Sequence, residues 1–128
     1  MFNQSQLDAI DNAIQTNLIE AGLDNVIYLD MAGNAIAKHD NGKTNLDPTA
    51  FAALAAGNFA AVDAMAKLVG ETEFSLLFHK GEKSCIHFSK VDDETLLISM
   101  FDTEISLGLV RLKVAETIKQ INLILADE

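Results

Sequence analysis

His79, Cys85 and His87 lie close together in the chain, and these are the residue types that ligate metals or form a Cys–His nucleophilic pair. Their spacing argues against both. The segments FSLLFHK (74–80) and SCIHFSK (84–90) read as adjacent strands. A two-residue turn at Gly81-Glu82 would put Cys85 and His87 on one face and His79 on the other, because strand side chains alternate. Ordinary strand residues are expected, with Cys85 a small buried apolar group.

A second motif, AKHDNGKT (37–44), fits a relaxed phosphate-loop pattern with Ala in place of the first Gly. A working loop of this kind places its Lys and Thr in the first helical turn, where backbone N–H groups and the helix dipole face the phosphates. Here Asn45, Leu46 and Asp47 intervene before Pro48 can open a helix, and Asp40 would bring negative charge to the phosphates. No nucleotide site is expected. The carboxylates are scattered, with Asp92, Asp93 and Glu94 in one turn and Asp127 and Glu128 at the end, so paired-carboxylate catalysis has nothing to build on. The reading is therefore of a protein that is not an enzyme and carries no catalytic, cofactor or metal-binding residue.

Composition narrows the classes further. The 128 residues are about one domain's worth, 49% hydrophobic and 22% charged, and a single domain over 1–128 is expected. A net charge of -10 repels phosphate backbones and anionic lipid headgroups, so neither nucleic acid nor a membrane surface is an expected partner. One cysteine makes no internal disulfide. The first residues lack a basic start and an apolar signal core, and no stretch reads as a membrane span. A cytoplasmic location is expected.

The elements that would position these residues follow from periodicity. Leu7, Ile10, Ile14, Leu18 and Ala21 recur at helical spacing behind Ser5, a candidate N-cap, and the pattern stops at Gly22. NVIYLD (25–30) and the run from Ala35 to His39 make a hairpin about Gly33-Asn34. Asp47-Pro48 opens a long Ala-rich helix that runs to Gly70. Three short apolar runs, at 74–80, 84–90 and 95–101, read as an antiparallel meander, and Leu107, Val110, Val114, Ile118, Ile121 and Leu125 mark a last helix. The order is α-β-β-α-β-β-β-α. Apolar residues on both faces of the meander require helices on both sides, hence an α+β fold, a three-layer α/β/α sandwich.

The Ala-rich helix carries two patterns. At about 100° per residue, Phe51, Leu54, Val62, Met65 and Val69 cluster on one side, expected to lie on the sheet. Ala50, Ala53, Gly57, Ala60 and Ala64 form a stripe of small residues that would let a second helix approach closely. Phe59 falls outside the bulky cluster. With Ala52, Ala56, Asp63 and Lys67 it would make an outward strip, an aromatic anchor with a charged end, of the kind that binds partners; alternatively Phe59 packs across a dimer seam.

With that order in place, the chain resembles the roadblock/LC7 family from about Leu7 to Leu125. The resemblance rests on SLGLVRL (106–112), similar to the start of the family's last helix, on AGNFAAVDAMAKLVGE (56–71) and on the FSLLFHKGEKSCIHFS hairpin (74–89). It implies a five-stranded, mainly antiparallel sheet of spatial order 2-1-5-4-3, with the second helix on one face and the other two on the opposite face. It also implies a homodimer, in which Ala53, Gly57, Ala60 and Ala64 of the second helix and Phe74, Leu76 and Phe78 of the third strand meet their symmetry mates. The implied partner is a small Ras-like GTPase, of the type that sets bacterial polarity, for which the helical spacing offers the Ala52, Ala56, Phe59, Asp63 and Lys67 strip as the candidate docking site. The family supplies no arginine finger. The only arginine here, Arg111, is expected to be a helix-surface charge. A scaffold subunit that tethers a GTPase without changing nucleotide turnover is the alternative.

Overall fold

In a computed structural model, which describes residues 2–42, 45–72 and 77–126, the elements follow the expected order. Helix α1 (Gln4–Ile14) continues into a π-helical turn, Gln15–Ile19, and is followed by β1 (Asn25–Asp30), β2 (Ala35–Asp40), α2 (Pro48–Leu68), β3 (Leu77–Lys80), β4 (Ser84–Lys90), β5 (Thr95–Asp102) and α3 (Leu107–Ala126). The N-cap of α1 is Asn3, not Ser5. Its side chain accepts from the Gln6 N–H at 2.8 Å while Gln6 Oε1 accepts from the Asn3 N–H at 3.0 Å, a reciprocal box that satisfies two otherwise unpaired donors. The helix ends where Gly22 takes φ +113°, a conformation that costs glycine little.

The sheet is antiparallel throughout, in the order β2-β1-β5-β4-β3. Alternation along its central strands feeds two cores. Val26, Tyr28, Leu97 and Phe101 pack with Ile10, Ile14 and Leu18 of the first helical segment and Val110, Val114 and Ile121 of α3. Ile27, Leu29, Phe88, Leu96, Ile98 and Met100 pack on the other face with Ala52, Ala55 and Ala56 of α2. One helix thus covers one face and two cover the other. Since α2 lies mainly over β1 and β2, the same face of β4 and β3 is less covered, and Ile86 stays half-buried.

The β3–β4 hairpin turns one residue later than expected, which moves the pairing register by two. Lys80 pairs with Cys85, and the Gly81 N–H donates to the Ser84 carbonyl, leaving Glu82 and Lys83 at the tip. A shift by an even number leaves every side chain on its expected face. Cys85 and His87 accordingly share the α1/α3 side with Phe78, while Ile86 and Phe88 face α2.

Candidate docking surface

Helix α2 is built to stand without much help. Asp47 Oδ1 accepts from the N–H groups of Thr49 and Ala50, Pro48 sits in the first turn, and Gly70 at φ +88° ends the helix. Its 21 residues are apolar enough, by length and composition, to cross a membrane, which the sequence reading did not anticipate. What it lays on the sheet, however, is a face of alanines. Ala52 is 0% exposed, and Ala55, Ala56 and Ala66 are also buried. Phe51 and Phe59 flank this face, half-buried against the same core.

The expected orientation of α2 is thereby corrected. Leu54 is 74% exposed, Leu68 86%, and Met65 and Val69 are also exposed; of the bulky cluster assigned to the sheet only Phe51 and Val62 are partly buried. Bulk is already supplied by the strands, so small helix residues bring the backbone close without overpacking. The strip assigned to the GTPase fails for the same reason: Ala52 and Ala56 are core residues and Phe59 packs beside them. Only its charged end is surface, where Lys67 Nζ lies 3.2 Å from Asp63 Oδ2 one turn away.

Two contacts fix which way the free sides of α2 point. Asn58 Oδ1 lies 3.4 Å from His79 Nε2 on β3, so that side looks toward the β3 edge. Ala53 lies against Gly33 in the β1–β2 turn, so that side looks toward β2. At about 100° per residue, Leu54, Met65 and Val69 share the Asn58 side, whereas Gly57, Ala60 and Ala64 share the Ala53 side and the helix crest. All four of Ala53, Gly57, Ala60 and Ala64 are exposed. Phe78 is not near them: it lies on the opposite face of the sheet, stacked on Phe101 with ring centroids 6.2 Å apart. Phe74 and Leu76 lie outside the described residues.

The residues weighed for chemistry stay apart. His79 packs edge-on against Phe88 at 5.6 Å on the α2 side, while Cys85 and His87 are buried on the other. No group of three or more His, Cys, Asp or Glu among the described residues could hold a metal ion. In the phosphate-loop motif, 37–40 belong to β2 and α2 begins only at Pro48; Lys43 and Thr44 lie outside the described residues. Arg111 is exposed on α3. Burial, and then the nearby Arg111 charge, lower the His87 pKa below its ordinary value. Burial raises that of Tyr28, whose hydroxyl lies 3.1 Å from Thr95 Oγ1.

With the geometry described, residues 14–100 match the family model of the Roadblock/LC7 domain. The chain belongs to the roadblock/LC7 family. Within it, the structure is similar to MglB of Myxococcus xanthus, 32% identical with a TM-score of 0.89 over 98% of this chain and 93% of that one. It is also similar to the gliding protein MglB of Thermus thermophilus, 25% identical with a TM-score of 0.87 over 100% and 96%. A roadblock/LC7 domain from Streptomyces avermitilis, 16% identical with a TM-score of 0.79 over 91% and 97%, shares the fold. Comparison with curated proteins by sequence gives no match. The exposed apolar side of α2 is the part sequence reasoning missed: Leu54, Met65 and Val69 were placed on the sheet and Leu68 was given no role. The signal available was the total apolar girth of α2, which exceeds what one sheet contact can cover.

Proposed function

We propose that this roadblock chain is a cytoplasmic homodimeric regulator of a small Ras-like GTPase of the MglA type, in the manner the resemblance to MglB implies. It would bind the GTP form and stimulate hydrolysis, performing no chemistry itself and needing no cofactor. The observation that carries this reading is the uncovered apolar side of α2, where Leu54, Met65, Leu68 and Val69 stand in solvent in one subunit. Exposed apolar surface of that kind marks an interaction site.

Two separate sides of the helix suit two partners. Leu54, Met65 and Val69 look toward the β3 edge, where a second copy joined along β3 would bring its own α2, so the seam is reassigned to them. The crest of Gly57, Ala61, Ala64 and Leu68 then remains for the GTPase. Arg111 lies on α3, which packs on the sheet face opposite α2, so activation would come from favouring a GTPase conformation whose own groups are in place. Hydrolysis by an MglA-type GTPase, measured with and without this protein, tests the reading. Acceleration supports it; binding with unchanged turnover would make the chain a scaffold subunit and overturn the activator role.

A further inference from the structure

We propose that His87 is a proton-sensitive latch for α3: neutral, it lets the helix lie on the sheet, and protonated, it releases the N-terminal half of the helix. His87 is 4% exposed, on the sheet face it shares with Cys85 and Phe78, which α3 covers. Its Nδ1 lies 3.3 Å from Ser89 Oγ. Across the strand pair stands Ser99, 0% exposed, whose Oγ has no hydrogen-bond partner among the described residues. A neutral imidazole and a hydroxyl are tolerable in such a layer, but an imidazolium needs an anion or water.

Among the described residues, the charges around it offer no anion. From α3 the group that acts on the ring is Arg111, of like sign, while Glu116 is engaged by Lys113 at 3.8 Å. From β3 the residue opposite is Phe78, and the ionisable residue on the same face is Lys80. From β5 it is Ser99, with Asp102 exposed at the strand end. On β4 itself Ser89 and Cys85 flank it. A proton on His87 would therefore join a cationic neighbourhood, and water reaches the ring by α3 lifting. The part of α3 that must lift holds on by Val110 and Val114, both buried, and is capped by Ser106 Oγ, which accepts from the Leu109 N–H at 3.3 Å.

Hydrogen exchange on the full chain, corrected for intrinsic rates, tests this between about pH 7.5 and about pH 5.5, a range in which histidine changes charge. Protection of the amides from Val110 to Thr117 should fall about tenfold more than that around Ile121, and His87→Gln, neutral throughout, should abolish the difference. Equal loss in that variant would assign the effect to His39 or His79 and overturn the latch, as would no differential loss in the wild type. Should the variant fail to fold, NMR titration of the wild-type ring decides: ring protonation and helix opening must share one midpoint. A ring that titrates with α3 still protected would sink the idea.

Discussion

A Cβ built on Gly33 would stand 3.0 Å from the Ala53 Cα, closer than side chains ordinarily approach backbone, and Gly33 itself holds φ +92°. The β1–β2 turn thus sets how near α2 can lie to the sheet. Asp30 fixes the turn, its Oδ1 accepting from the Ala32 and Asn34 N–H groups at 3.0 and 2.9 Å.

Gly33→Ala should therefore destabilise the fold by about 1–3 kcal/mol, through both the positive φ and the push on α2. Gly57→Ala should do the reverse in a single subunit. It lies in mid-helix with nothing within 4 Å of the added Cβ, and Ala gains roughly 0.5–1 kcal/mol over Gly in a helix. Urea denaturation of the two variants beside the wild type checks both signs.

Phe59 is argued as a core residue, so Phe59→Ala should cost roughly 2 kcal/mol of stability, below the full-burial range because the ring is half-buried. Thermal unfolding measures this, and GTPase binding by the folded variant should stay near wild type. Normal stability with lost binding would return Phe59 to the docking surface.

That misplacement shows what the residues disclose and what they do not. Element order was legible because Ile10, Ile14 and Leu18, or Val110, Val114 and Ile121, repeat at one spacing against one core, whereas the full strand order and the split of helices between faces came from the family resemblance. The same logic fails on α2. A helical wheel identifies its bulkiest side, and Leu54, Met65 and Val69 are that side, but Ala52, Ala55 and Ala56 meet strands already rich in Ile, Leu and Met. Which side of an all-round apolar helix faces inward depends on the volume the other layer supplies, and that is a tertiary property. The N-cap at Asn3 and the turn at Glu82-Lys83 were misplaced for a smaller reason, because each competing assignment satisfies the same local pattern within two residues.

Stability should be bounded at both ends of the pH scale. The fold lowers the His87 pKa from 6.5, so its contribution is complete above about 6.5 and declines as pH falls toward the lower folded-state value, the unfolded chain taking up the proton first. The fold raises the Tyr28 pKa from 10.0, so that contribution is complete below about 10 and is lost as pH rises beyond it. Denaturation midpoints in His87→Gln and Tyr28→Phe should each lose one limb of this profile and keep the other.

The reassigned seam makes a prediction that separates the two sides of α2. Leu54 and Met65 look toward the β3 edge and are exposed in one subunit, so a charge there costs the subunit's own core nothing, yet in a seam it would be buried without a partner. Leu54→Glu should fold normally and weaken self-association about tenfold or more, read by sedimentation across a concentration series. Gly57→Leu, on the crest, should leave self-association intact and reduce binding to an MglA-type GTPase instead. The opposite pattern, with Gly57→Leu monomeric and Leu54→Glu dimeric, would restore the small-residue stripe of Ala53, Gly57, Ala60 and Ala64 as the seam and move the docking site to the β3 side.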